Sequence, residues 1–153
     1  MPKRKMKRAT LADGTDHARL RALRVGCEQY IAEREWDYFC TLTFRFEVTE
    51  VEAVREFEQR FIQRSQQRSQ GRVDYFAVAA RNFSEGRVHV HALLKFVRPL
   101  ASASTANAWV AGQADVRSFH RRGGAAGYIA QHIALPTAET MVRWRDPMHS
   151  PAQ

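Results

Sequence analysis

The chain predicts an α+β domain: an antiparallel sheet of four to five strands with helices packed on one face, in the ferredoxin-like or RRM-like manner. Three observations carry this. Segments with apolar residues at helical spacing alternate with aromatic and β-branched runs, in the order helix-β-α-β-β-α-β-α. Two strand-like runs, VDYFAVAARN at 73–82 and RVHVHALLKFV at 87–97, flank NFSEG, which has the length and residues of a hairpin turn. At 153 residues the chain is long enough for one sizeable core and too short for two comfortable domains.

Taken in order, MPKRKMKR and the turn-rich ATLADGTD form a basic flexible arm over 1–15, the domain proper spans 16–134, and 135–153 is a mostly irregular strap anchored by Trp144. Residues 16–34 place Leu20, Leu23, Cys27, Tyr30 and Ile31 on one side of a helix. WDYFCTLTFRF at 36–46 is a strand by its aromatic and β-branched content. Thr49 can N-cap a helix through about Gln67, with Val54, Phe57, Phe61 and Ile62 as its buried stripe. Residues 103–112 suit a short helix, VRSF a short edge strand, and Ala125–Ala134 a last helix.

The composition, 44% hydrophobic and 26% charged, is globular rather than disordered. The net charge of +8 points to an acidic partner, with nucleic acid the first candidate. No apolar run approaches the roughly 18 residues of a spanning helix and no signal-peptide pattern appears, so a cytoplasmic protein is expected. Cys27 and Cys40 lack CxxC spacing and lie in apolar surroundings, which favours buried free thiols over a disulfide or zinc site.

The third strand is unusual. In EGRVHVHALLKF, Val88, Val90, Ala92, Leu94 and Phe96 form one fully apolar face, while His89 and His91 share the other. Something on that side must use nitrogen ligands, nitrogen bases or hydrogen-bond donors. The last helix, GGAAGYIAQHIA, sets Tyr128 and His132 four apart on one face, with Ile129 and Ile133 on a neighbouring face suited to packing. The small residues from Gly123 to Gly127 leave room for a bulky polymer to approach the tyrosine oxygen. His132 near the helix end serves equally as a ligand or as a capping residue. Thr41 and Thr43 are accounted for by strand propensity ahead of any DNA contact.

Together CTLTF at 40–44, RVHVHALL at 87–94 and GYIAQHI at 127–133 resemble the three motifs of the HUH endonucleases, in the single-tyrosine replication-initiator (Rep) type. The resemblance spans Asp37 to Ala134. It implies a sheet bearing His89 and His91, a divalent metal (Mn²⁺ or Mg²⁺) between them, and a helix presenting Tyr128 as the nucleophile. Where many such proteins carry a glutamate on the preceding strand this chain has Ala79, Ala80 and Arg81, and where many carry a lysine after the tyrosine it has Gln131. His132 would then supply the third ligand, with Glu85 nearer in sequence but in the expected turn.

The implied activity is metal-dependent nicking and rejoining of single-stranded DNA through a 5′-phosphotyrosine, initiating replication of a plasmid or virus from an origin that could be a hairpin. With no Walker motif, unwinding and synthesis would fall to a host helicase and polymerase. Lys3, Arg4, Lys5, Lys7 and Arg8 in the arm, Arg45, Arg81 and Arg87 around the sheet, and Arg121 and Arg122 beside His120 are the candidate DNA contacts. The rival readings are a single-tyrosine HUH transposase and a non-catalytic binder that holds single strands on an RRM-like sheet.

Overall fold

The computed structural model describes residues 17–19, 21–81, 86–133, 135 and 137–144. The five basic residues of the arm and Glu85 lie outside them. Helix α1 (21–32) leads into β1 (Tyr38–Leu42). Helix α2 follows in three consecutive stretches: α-helical Glu50–Arg55, π-helical Glu56–Phe61 and α-helical Ile62–Ser69. The hairpin β2 (Val73–Arg81) and β3 (Val88–Phe96) comes next, then α3 (Ser102–Asn107), β4 (Ala114–Ser118), α4 (Ala125–Ile133) and β5 (Glu139–Arg143).

The strands form one antiparallel sheet in the order β4-β1-β3-β2-β5, with the hairpin register running from Val73↔Phe96 to Arg81↔Val88. The α+β, ferredoxin-like expectation holds, since β1-α2-β2 is a crossover with β3 inserted between its two strands.

Thr49 caps α2 as its sequence suggests, its hydroxyl accepting from the Glu52 N–H at 3.1 Å. The π segment widens the turn, so that the Ile62 N–H reaches back to the Phe57 carbonyl. Phe57, Phe61 and Ile62 then all bury against Val88, Val90, Ala92, Leu94 and Phe96, the apolar face of β3.

The opposite face is not bare. Cys27 and Ile31 of α1 and Ile129, Ala130 and Ile133 of α4 pack on Phe76, Val78, Ala80 and Leu93, which leaves the β1 and β4 side of that face open. Cys27 and Cys40 are buried free thiols, as expected.

Three expectations need correction. The strand expected at 36–46 stops being regular at Leu42, because the backbone beyond it bonds to a loop: Thr43 N–H to the Gln113 carbonyl and Arg45 N–H to the Ala111 carbonyl, both at 2.9 Å. The helix expected at 103–112 ends at Asn107; Trp109 turns into the core against Phe44 and Phe61, and its Nε1 donates to the Thr43 carbonyl at 2.9 Å. The strap expected to be irregular contributes a strand, because β2 is buried along nearly its whole length and its outer edge needs backbone partners, which Glu139–Arg143 supply. Trp144 does anchor that segment, edge-on to Trp36 at 5.0 Å.

Candidate active site

The sheet register sets the site. His91 stands between Thr41 of β1 and Val78 of β2, and His89 is opposite Ala80. Because Val88, Val90 and Ala92 fill the opposite face, both imidazoles must project toward α4.

Helix α4 follows the turn Gly123–Gly124, where Gly124 adopts φ +78° and the Gly123 N–H bonds the His120 carbonyl at 2.9 Å. Ile129, Ala130 and Ile133 bury on the sheet and fix the helix's rotation. That rotation carries Tyr128 and His132 over the histidines. The His91 ring lies 4.9 Å from Tyr128 and 4.3 Å from His132 between centroids, Tyr128 and His132 are 4.5 Å apart, and His89 stacks parallel to His91 at 6.3 Å. Tyr128 remains 45% exposed, whereas His91 is only 4% exposed.

Burial holds the His91 pKa down, to about 3, with the neighbouring His132 and His89 adding to the effect. Its ring is therefore neutral through the physiological range. The His132 Nδ1 lies 2.7 Å from the Tyr128 carbonyl oxygen, which can only accept, so Nδ1 carries a proton and Nε2 is the nitrogen that has the lone pair in the neutral ring. The Thr41 hydroxyl lies 3.4 Å from the His91 Nδ1.

Among the described residues, no group of three or more His, Cys, Asp or Glu side chains is spaced to hold a metal ion. Two of the histidines have features that a ligating imidazole needs. His91 is neutral, and a backbone carbonyl fixes the tautomer of His132, the kind of outer hydrogen bond that orients a ligating imidazole.

Two grooves flank this cluster. One, of about 720 Å³, runs beside Tyr128 between the Gly123–Ala125 turn and β4, over Phe39 and Thr41. The other, of about 430 Å³, lies beyond His89 and includes Thr43, Arg45 and Arg87.

A family model, replication-associated protein ORF2/G2P, matches residues 37–134, about two thirds of the chain. The chain belongs to this family. The matched segment begins just before β1 and includes every residue of the cluster just described. No curated protein and no solved structure matches the chain.

Within this replication-associated chain the candidate contacts separate. Arg45 and Arg87 share the groove beyond His89, and Arg121 and Arg122 are exposed on the turn before α4. Arg81 goes elsewhere: it points to the α2 face, pairs with Glu50 at 3.0 Å and donates to the Gly86 carbonyl at 2.8 Å. Thr43 donates to the Gln113 carbonyl at 3.3 Å, a local role consistent with strand structure.

Phe39, Asp115 and Arg117 also line the groove beside Tyr128, though no motif in the sequence marks them. The alternation of β1 could have found Phe39, since it shares a face with Thr41. Asp115 and Arg117 join the site only through the pairing of β4 with β1, which no local pattern encodes.

Proposed function

We propose that this chain is a single-tyrosine HUH endonuclease that nicks and rejoins single-stranded DNA to initiate replication. The observation that carries the reading is the half-exposed Tyr128 held within 5 Å, ring to ring, of a buried neutral imidazole at the mouth of a groove. Family membership favours replication over transposition.

Tyr128 presents its hydroxyl to a phosphodiester lying along the groove. The phenolic oxygen attacks phosphorus, the bond to the 3′-oxygen breaks, and the 3′-oxygen leaves with the electron pair and takes up a proton as the phenol's proton passes to solvent. The product is a 5′-phosphotyrosine and a free 3′-hydroxyl, which can attack back to rejoin the strand. Holding Mn²⁺ or Mg²⁺ would require His89, His91 and His132 to close up from the spacing they have here; a bound ion would supply Lewis-acid polarisation of the scissile phosphate, and nitrogen donors suit Mn²⁺ better than Mg²⁺. Ile129 and Ile133 fix the angle at which Tyr128 is delivered, and Arg45 and Arg87 draw the strand across the site through its phosphates. A host helicase and polymerase complete replication.

The test is incubation with single-stranded DNA and Mn²⁺, followed by denaturing electrophoresis. A protein band shifted by covalent DNA is expected, and Tyr128→Phe should abolish it while retaining DNA binding. A shifted band undiminished in Tyr128→Phe would assign the nucleophile elsewhere.

A further inference from the structure

Beyond His89 a large aromatic side chain stands in solvent on a loop that is firmly held. Phe46 is 79% exposed, whereas Phe44, two residues earlier, packs edge-on to Trp109 at 5.0 Å. Regular alternation would send both rings to one side, and the bend at 45–46 separates them. The loop is pinned to the segment 109–113: Trp109 Nε1 donates to the Thr43 carbonyl, the Thr43 N–H to the Gln113 carbonyl and the Arg45 N–H to the Ala111 carbonyl, each at 2.9 Å. The Arg45 guanidinium adds a bond to the Val110 carbonyl. A ring so exposed contributes little to the core, yet the loop fixes where it stands.

We infer that Phe46 is a stacking platform for a base of the single-stranded DNA, in the groove beyond His89. The inference rests on the single-stranded DNA reading above and adds a contact remote from the reacting phosphate. Phe46 lines that groove, of about 430 Å³, together with Arg45, Arg87 and His89. Phe39 and Thr41 line the groove beside Tyr128 and Thr43 lines this one, so the two follow each other along the same stretch of chain. A strand with one phosphate at Tyr128 continues past the histidines to Phe46.

Charge favours a nucleic-acid strand over an apolar protein segment. A single exposed phenylalanine is ordinary on a protein surface and by itself names no partner. Here the ring shares its groove with two arginines, and a basic groove with an aromatic side chain holds single strands by backbone charge and base stacking together. Glu47 is the one carboxylate among the lining residues, and it turns phosphates toward the arginines while tolerating an uncharged base. On its other side Phe46 borders Val48 and Val110 in a hollow where Glu52 and Glu56 offset Arg45 and Arg60, which gives a phosphate chain no net attraction. Every base has a π face, so the contact carries no sequence preference; in a duplex that face is already stacked on its neighbours. Phe46 therefore selects single strands over duplex, and the pinned loop lowers the entropy lost when the base arrives.

The test is fluorescence anisotropy with chelator present, using short oligo(dT) as the single strand and a blunt duplex of the same length. Phe46→Ala and Phe46→Leu should each bind oligo(dT) about tenfold more weakly, the order of loss expected when one base–aromatic stack is removed, and Phe46→Trp should stay within about twofold of wild type. Duplex affinity and the slope of log affinity against log salt should not change, because no cation is removed. Unaltered oligo(dT) affinity in Phe46→Ala overturns the inference and leaves the ring to a protein partner. An equal loss for single strand and duplex, or a loss that Phe46→Trp shares, overturns it too. Adduct formation is scored separately: the expected losses without any adduct in wild type would retain stacking and remove the nicking reading, and an adduct with unaltered Phe46→Ala binding would do the reverse. Absence of oligo(dT) binding by wild type would remove both.

Discussion

His91 is packed and uncharged at once. It fills the sheet face between Thr41 and Val78, and burial keeps its ring uncharged, with a pKa near 3 against an ordinary 6.5. Between those values the unfolded chain takes up a proton at this position and the folded chain does not, so His91's contribution to stability is full above about pH 6.5 and is lost as pH falls toward 3. Denaturation in the presence of chelator should therefore show a midpoint falling from about pH 7 to pH 5, and His91→Gln should flatten that slope. An equal slope in the variant would place the acid sensitivity elsewhere. His132→Ala addresses the metal: a large loss of Mn²⁺ affinity by calorimetric titration makes it a ligand, whereas near-normal affinity leaves it orienting Tyr128 through their shared turn. His89 and His91 were legible as a pair because strand alternation exposes any polar intrusion into an apolar run. The tautomer of His132 was not, since it depends on one carbonyl contact.

At the scale of elements, two glycines make opposite demands. A Cβ on Gly112 would come within 2.0 Å of the Thr43 carbonyl oxygen and 2.7 Å of its carbon, backbone atoms that cannot rotate away. Gly112→Ala should therefore destabilise the protein by about 1–3 kcal/mol, read as a lower denaturant midpoint, and loosen the loop that carries Arg45. Gly127, inside α4, has nothing within 4 Å of its missing Cβ. Gly127→Ala should raise stability by roughly 1 kcal/mol, the ordinary helix propensity difference. Should it also weaken single-stranded DNA binding at unchanged fold, the bare backbone before Tyr128 is the strand's approach path; unaltered binding would leave Gly127 without a role in the site. The cap at Thr49, the stripe of Phe57 and Phe61 and the β2–β3 hairpin were readable because each is a local signal of spacing or turn chemistry. β5 was not, because ETMVR has little strand character of its own and forms by meeting the unpaired edge of β2.

Across the whole molecule, the positive charge is unevenly divided. Lys3, Arg4, Lys5, Lys7 and Arg8 stand with no acidic residue among the first eight positions, whereas Arg45, Arg87 and Arg117 line the two grooves and Arg121 and Arg122 are exposed on the turn before α4. Arg117 is held by Asp115 and Arg45 by the Val110 carbonyl, so these groove cations are fixed in position. The arm's cations are contiguous in sequence and suit phosphates of any strand. Deleting residues 1–8 should therefore weaken binding to all single-stranded sequences alike. Each phosphate the arm neutralises adds about 0.7 to the slope of log affinity against log salt for a single strand, so five engaged cations would make that slope shallower by roughly 3.5 after deletion. Anisotropy titrations across a salt series decide the matter. An unchanged slope would keep the arm off the DNA and assign the electrostatic attraction to the groove arginines alone.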